Sequence, residues 1–173
     1  MKTKVVINPY SANRSTAKQW ADKSGLLKEK IGRFDAELTS KPLEATEITQ
    51  NALKDGYERV IAVGGDGTVN EVINGFFEND KPINPEAVLS IIMTGTGGDF
   101  RKTAGISKSI THAISQLAEG TVKKIDIGKL TYTTMDGNKK STYFDNVASL
   151  GMSGAVNQIV NHSAISRMTK KIS

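Results

Sequence analysis

Arg59-Val60-Ile61-Ala62-Val63 runs directly into Gly64-Gly65-Asp66-Gly67-Thr68, and this stretch decides the fold. The first five residues are mostly apolar and predict a buried strand. The glycines predict a sharp turn into a helix over Val69–Phe77, with Thr68 as its cap. A strand, a glycine turn and a helix in this order aim backbone N–H groups at a bound phosphate, because glycines let the backbone come close to it.

Asp66 is the unusual residue of this turn, because a carboxylate in an anion site repels phosphate. It is reasonable there if it holds a cation or accepts a proton from an attacking hydroxyl. The turn therefore predicts phosphoryl transfer with Mg²⁺, with Asp66 as catalytic residue and metal ligand. The alternative is an ordinary glycine turn with an aspartate cap, and Glu71 could likewise close a capping box with Thr68.

A second glycine loop, Thr94–Phe100, follows the apolar strand expected at Val88–Met93. Loops at the carboxyl ends of parallel strands converge on one crevice, so the two loops together favour a nucleotide cradle. The chain has no Gly-x-x-x-x-Gly-Lys-Ser/Thr motif, which argues against a P-loop NTPase, and no Gly-x-Gly-x-x-Gly after its first strand.

The same alternation of strand and helix patterns extends over residues 1–121. Strands are expected at Lys4–Asn8, Phe34–Thr39, Arg59–Val63 and Val88–Met93. Helices are expected at Ala17–Ile31, Glu44–Lys54, Val69–Phe77 and Ser107–Glu119, the last with Ser107 as cap. This order predicts an α/β fold, a Rossmann-like parallel sheet with helices on both faces.

The pattern changes near residue 122. Lys123–Tyr132 and Lys139–Val147 alternate like strands, and the Asp-Gly pair in Met135–Asn138 predicts a hairpin between them. We therefore expect a nucleotide-binding domain over 1–121 and an incomplete antiparallel β-rich second domain over 122–173, with a short helix at Ser153–Asn161. Two or three strands cannot bury a sheet face alone, so they need a partner or the first domain to pack on, or the chain is a fragment.

Composition narrows the classes of function. Among 173 residues 38% are hydrophobic, there is no Cys and there are two His, so disulfides and thiolate sites are excluded and a histidine metal cluster is disfavoured. Residues 1–100 carry 12 basic and 14 acidic side chains, whereas residues 101–173 carry 11 and 4. The basic second half suits an anionic partner, but only 6% of residues are aromatic, and nucleic acid is not expected. Without Cys or a signal peptide, a cytoplasmic location is expected.

Gly64–Val72 resembles the signature of the diacylglycerol kinase catalytic-domain family, which includes bacterial lipid kinases and sphingosine kinases. Four other stretches are similar to family segments: Asn8–Ser11, Thr39, Lys124–Gly128 and Asp145–Gly151. The chain departs from the family at three positions, where Gly, Pro and Asn are usual: Ala12, Met93 and Gly98.

The resemblance implies an ATP-dependent lipid kinase that transfers the γ-phosphate to a lipid hydroxyl such as that of diacylglycerol, with ATP and Mg²⁺ as cofactors. It implies a lipid substrate met at a membrane surface, and it leaves a homodimer open. The nucleotide contacts carried over are Asn8, Pro9, Tyr10, Ser11, Ala12, Thr39, Gly64, Gly65, Asp66, Gly67, Thr68, Val69, Asn70 and Thr96.

Asp126, between Ile125 and Ile127, is the second Mg²⁺ ligand that the resemblance favours, against a plain outward-facing strand residue. Family members are longer, and their general base and part of their Mg²⁺ site lie beyond the positions that align here, so the chain is expected to be truncated. Two other functions stay open: a NAD kinase-like or phosphofructokinase-like enzyme, which shares the Gly-Gly-Asp-Gly core, and a nucleotide-binding module without turnover.

Overall fold

A computed structural model describes residues 1–12, 14–94 and 99–145. Its central feature is a parallel sheet of four strands in the order β2-β1-β3-β6. These strands are β1 (Thr3–Ile7), β2 (Asp35–Leu38), β3 (Arg59–Gly64) and β6 (Val88–Met93). The predicted class, an α/β fold with a parallel sheet, is confirmed.

Five helices accompany the strands in the described part of the chain. They are α1 (Thr16–Ile31), α2 (Glu44–Lys54), α3 (Asp66–Gly75), α4 (Asp99–Thr103) and α5 (Ile110–Glu119). Gly75 permits close contact between α2 and α3, since a Cβ atom there would lie 2.7 Å from the Thr46 carbonyl oxygen.

The strands bury both faces because successive side chains point to opposite sides. On one face, Val6 and Ala62 pack with α2 and α3, for example with Ile48 and Val72. On the other face, the neighbouring residues of β1 and β3 pack with α1 and α5. Full burial of an aliphatic side chain of this size contributes about 1.5–3 kcal/mol, so the two cores hold helices on both faces of the sheet, as predicted.

The order of the strands fixes where a ligand can bind. The chain passes from β1 outward to β2, then returns across β1 to β3 and continues to β6. The connections from β1 and β3 therefore leave in opposite directions, which opens a crevice at the carboxyl ends of these strands. The turn after β1 and the glycine turn after β3 both lie at this crevice.

Two antiparallel hairpins complete the described structure. The first is short, with β4 (Phe77–Glu78) and β5 (Lys81–Pro82). The second has β7 (Gly128–Thr133) and β8 (Lys139–Phe144), joined through the predicted Asp-Gly turn. The hairpin expected after residue 122 is therefore present, and the division into domains at residue 122 stays a prediction.

The second hairpin packs against α3 and β4 of the first part of the chain. The Tyr143 ring stacks on Phe77 with centroids 3.9 Å apart. The Asn74 side chain accepts a hydrogen bond from the Tyr143 N–H (2.9 Å) and donates one to its carbonyl oxygen (3.0 Å). Lys129 pairs with Asp80 at 2.8 Å. Of the alternatives left open by the sequence, packing on the first part of the chain is what the structure contains.

Several predicted boundaries are wrong, for local reasons. The helix predicted to begin at Val69 begins at Asp66 and ends at Gly75, because Gly65 supplies the extended cap position. Thr68 therefore lies inside the helix and is not its cap. The helix α5 begins at Ile110 and not at Ser107, because the Ser109 side chain accepts from the His112 N–H.

The strand predicted at Lys123–Tyr132 begins only at Gly128. Asp126 consequently lies in an irregular, exposed segment and not on a strand. Thr96, the Asn146–Gly151 segment and the predicted helix Ser153–Asn161 lie outside the described residues. Within the residues described, no helix has the length and apolar character needed to cross a membrane.

Candidate functional site

Asn8 connects the turn after β1 to the glycine turn after β3. Its backbone N–H donates to the Val63 carbonyl oxygen at 2.9 Å, which continues the ladder between the two strands. Its side-chain Nδ2 donates to Thr68 Oγ1 at 3.1 Å, and its Oδ1 accepts from the Tyr10 N–H at 3.0 Å. The Asn8 side chain thus links the two turns through Nδ2 and stabilises its own turn through Oδ1.

The glycines of the turn after β3 have two different roles. A Cβ atom at Gly64 would lie 2.7 Å from Thr68 Cβ and closer still to Thr68 Oγ1, so only glycine permits this packing. At Gly65 and Gly67 a Cβ atom would meet nothing within 4 Å. Gly64 therefore positions Thr68, whereas Gly65 and Gly67 leave open space beside the first turn of α3.

The first turn of α3 divides into an exposed part and a buried part. Asp66 and Gly67 are exposed, whereas Thr68 and Val69 are buried. The Val69 side chain packs in the core, and its N–H donates to the Gly65 carbonyl oxygen at 3.1 Å. The N-terminus of α3 carries a partial positive charge, as helix N-termini do, and Asp66 is the first residue of the helix.

The turn after β1 presents the other predicted contact residues. Tyr10 is 58% exposed, and the Arg14 guanidinium lies 5.8 Å from the centre of its ring. Pro9 is half-buried beside it. Ala12 has a φ of +52°, a left-handed conformation that glycine adopts at less cost. This is the position where the family usually has Gly, so the departure noted in the sequence is a strained residue in the structure.

The Ser11 hydroxyl and the Thr39 N–H both donate hydrogen bonds within the protein. Ser11 Oγ donates to the Asn8 carbonyl oxygen at 2.8 Å. Thr39 is buried at the end of β2, and its N–H donates to the Ile7 carbonyl oxygen at 2.8 Å. The structure thus brings Thr39 beside the end of β1, at the same edge of the sheet as the two turns.

Asn70 and Glu71 face a groove between α2, α3 and β8 with a volume of about 300 Å³. Asn70 Nδ2 donates to the Tyr143 carbonyl oxygen at 3.1 Å. Glu71 does not close the predicted capping box, because its Oε2 accepts from the Ala45 N–H at 3.3 Å. Leu43, at the rim, is 71% exposed with a φ of +66°.

Asp145 is a candidate that sequence reasoning missed. It is half-buried directly after β8, and burial raises the pKa of its carboxyl, with a further contribution from the nearby carboxylate of Asp66. The signal in the sequence is weak: Asp145 is one of only four acids in the basic second half, at the end of a strand and at the start of the family-like segment Asp145–Gly151. What placed it beside the glycine turn is the docking of the hairpin on α3, which no local pattern encodes.

The carboxylates near the crevice can be compared with the ligands that Mg²⁺ requires. This ion usually takes one or two carboxylates and completes its octahedron with water and phosphate oxygens. Asp66 and Asp145 supply two carboxylates that lie near enough for the charge of Asp66 to raise the pKa of Asp145. As Mg²⁺ ligands, Asp66 and Asp126 stay predictions, and Asp126 lies on an exposed segment. No cluster of three or more His, Asp or Glu side chains suited to a metal occurs among residues 1–12, 14–94 and 99–145.

Comparison with known proteins agrees with this geometry. The family model for the diacylglycerol kinase catalytic domain matches residues 2–130. Diacylglycerol kinases from two strains of Staphylococcus aureus are each 35% identical to the chain over 152 residues, which are 87% of this chain and 44% of theirs. A crystal structure of a diacylglycerol kinase from Bacillus anthracis matches 80% of this chain and 47% of its own with a TM-score of 0.63, at 24% identity.

The crystal structure, at that identity, shows the likeness of fold alone. The chain spans a little under half the length of the curated relatives it matches. The match of the family model covers most of the chain and includes both turns at the crevice. The chain therefore belongs to the diacylglycerol kinase catalytic-domain family.

Proposed function

We propose that the chain binds ATP with Mg²⁺ at the crevice between β1 and β3, and that it forms the nucleotide-binding part of an ATP-dependent lipid kinase. The observation that carries the proposal is the first turn of α3. There, Gly65 and Gly67 leave open space beside helix N–H groups, and Asp66 is exposed at the edge. Anionic phosphates suit such a helix terminus, and the carboxylate suits the Mg²⁺ that accompanies them.

In this arrangement each residue has a defined task. The N–H groups at the start of α3 bind phosphate, and Asn8 and Thr68 keep the two turns at a fixed separation. The groove beside Asn70 lies next to the phosphate-binding turn and has room for the nucleoside part. Mg²⁺, when bound, neutralises charge on the transferred phosphoryl group, which is the main source of catalysis in such reactions.

The transferred phosphoryl group passes to a lipid hydroxyl such as that of diacylglycerol. Family membership supports this choice over a NAD kinase-like enzyme. Because the chain spans 44% of its Staphylococcus aureus relatives, we expect it to bind nucleotide weakly and to transfer phosphate slowly on its own. A nucleotide-binding module without turnover is the other outcome that the experiment below can return.

Calorimetric titration with ATP, with and without Mg²⁺, tests the binding step. Wild type is expected to bind ATP with Mg²⁺, and Asp66→Asn is expected to weaken binding in Mg²⁺ about tenfold, which corresponds to one lost charged contact. Asp22→Asn, an exposed carboxylate of α1, is the control and should change nothing. Equal affinity of wild type and Asp66→Asn for ATP would remove Asp66 from the site.

Transfer is followed separately, with γ-labelled ATP and diacylglycerol in mixed micelles. Label that enters the lipid phase supports the kinase, whereas binding without transfer supports the module without turnover. Label transferred to NAD in a parallel assay would overturn the lipid assignment.

A further inference from the structure

Three hydroxyl groups form a connected chain beneath the crevice. Ser11 lies in the turn after β1, Thr16 is the first residue of α1, and Thr94 directly follows β6. Thr16 Oγ1 lies 2.7 Å from Ser11 Oγ and 2.6 Å from Thr94 Oγ1. Thr16 is completely buried, so these contacts are shielded from water.

Each hydroxyl of this group has a single hydrogen to donate and can also accept. Ser11 Oγ can donate to the Asn8 carbonyl oxygen at 2.8 Å, and Thr16 Oγ1 can donate to the Ser11 carbonyl oxygen at 3.0 Å. Between the hydroxyls of Thr16 and Ser11, of Thr16 and Thr94, and of Ser11 and Thr94 (3.3 Å), either partner can donate. The hydroxyls therefore connect Thr94 with Asn8 in either direction.

This chain ends on a residue that is already linked to the glycine turn. Asn8 binds Thr68 through its side chain and Val63 through its backbone. The Thr94 N–H adds a bond from the other side, to the Gly64 carbonyl oxygen at 2.9 Å. The turn after β1 is thus joined to the ends of both β3 and β6.

We propose that Ser11, Thr16 and Thr94 form a hydroxyl latch that fixes the turn after β1 against the end of β6 and thereby sets the affinity for nucleotide. Thr16 and Thr94 are positioning residues in this account: they act through the turn and do not touch the ligand. The part of the proposal that concerns affinity rests on the proposed function, whereas the coupling of the two segments does not.

Isosteric substitutions separate positioning from stability. Thr16→Val removes one partner from each of the half-buried hydroxyls of Thr94 and Ser11, which keep only their long mutual contact and the bond from Ser11 to Asn8. It should therefore destabilise the chain and weaken nucleotide binding. In Thr16→Val/Thr94→Val the two hydroxyls are replaced together by apolar groups of the same shape, which recovers much of the stability. The double variant no longer has a directional bond between the segments. Thr16→Ser keeps the hydroxyl and is the matched control.

The decisive experiment measures both the affinity of the double variant for ATP with Mg²⁺ and its melting temperature. We expect its melting temperature to recover toward the wild-type value, while its Kd for ATP with Mg²⁺ stays about tenfold higher. Small misplacements of binding groups have effects of this size or larger. Thr16→Ser should bind like wild type. A double variant that recovers both stability and affinity would show that the hydroxyls only fill a buried space, and would overturn the proposal.

Amide hydrogen exchange without nucleotide tests the coupling independently. In the double variant the amides at positions 11 and 94 should exchange faster than in wild type, after correction for the intrinsic rate of the new residue, while the amide of Val63 in β3 should not change. If wild type does not bind ATP, the proposed function is wrong, and this exchange pattern alone tests the latch. Unchanged exchange at positions 11 and 94 would refute the latch whatever the nucleotide result.

Discussion

The glycine turn after β3 and the hairpin β7-β8 meet at α3, but they are held in different ways. The turn sits on a sheet with both faces buried, and Gly64 packs so closely on Thr68 that no other residue is accommodated. The hairpin is largely exposed, and it is attached through one aromatic stack and a few polar contacts such as those of Asn74. The glycine turn, which we propose binds phosphate, is therefore held by close packing, whereas the hairpin is held by contacts that single substitutions can remove.

Gly64→Ala should have the largest effect, because it changes the glycine turn at its tightest contact. The new methyl group overlaps Thr68, and the backbone of a buried strand end cannot move aside. We expect a loss of about 3 kcal/mol in the free energy of unfolding, measured by urea denaturation.

Two other Gly→Ala variants serve as controls for Gly64→Ala. Gly25→Ala, in open space within α1, should stabilise the protein by about 0.5–1 kcal/mol, because alanine favours a helix. Gly65→Ala also has open space around it, so its effect on stability should be small while ATP binding weakens. If Gly64→Ala is as stable as Gly65→Ala, the contact between Gly64 and Thr68 leaves room for a side chain, and the turn is not held by close packing.

Asn74→Ala should have the next largest effect, confined to the hairpin. The substitution removes the paired bonds to Tyr143 and the bond that Asn74 Oδ1 accepts from Thr142 Oγ1. We expect the free energy of local opening of the hairpin to fall by about 2 kcal/mol, while β3 keeps its protection. Amide hydrogen exchange at Tyr143 reports on the hairpin, and exchange at Val63 reports on β3.

Asn51→Ala, on an exposed part of α2, is the control for the loss of an asparagine from a helix. It should leave exchange in the hairpin unchanged. If Asn74→Ala instead lowers protection of β3 and the hairpin equally, the two regions unfold as one unit and the proposed contrast between them disappears.

The sequence predicted the glycine turn well because its signals are local. The apolar run Arg59–Val63 and the glycines after it specify a strand and a turn without any distant residue. The start of α3 was placed three residues too late, since the pattern marks Val69 as the first apolar position and cannot distinguish a glycine cap from a threonine cap. The contact between Asn8 and Thr68 joins residues 60 positions apart and was not predictable as a bond.

The hairpin shows the limit of such reasoning. Its strands and turn follow from alternation and an Asp-Gly pair, but its position does not. Asn74 and Asp80 hold it, and neither residue has a pattern that marks it as an anchor. Asp145 reaches the site only because the hairpin docks there, so it could be found from the structure and not from the sequence.

Asp145→Asn tests the point at which the hairpin meets the glycine turn, and its effect on stability should be the smallest of those predicted here. Burial and the Asp66 carboxylate raise the pKa of Asp145 in the folded chain, so folding favours the protonated form. In the unfolded chain an aspartate has a pKa of about 3.9. The ionised carboxylate therefore costs stability, and that cost appears as pH rises through the unfolded value and is complete above the folded one.

We expect Asp145→Asn to melt about 2 °C higher than wild type at pH 7 and at the same temperature at pH 3. Asp136→Asn is a control that should change the melting temperature in the opposite direction. Hydrogen bonds from Thr134 and Asn138 lower the pKa of Asp136, so the ionised carboxylate stabilises the folded chain. Removing that carboxylate should destabilise the chain at pH 7 and have no effect at a pH where Asp136 is protonated in both the folded and the unfolded chain. If Asp145→Asn also destabilises at pH 7, the ionised Asp145 carboxylate does not carry the cost that its burial and the charge of Asp66 imply. In that case the hairpin has not brought an unfavourable carboxylate to the end of β8, and the proposed Mg²⁺ site rests on Asp66 without Asp145.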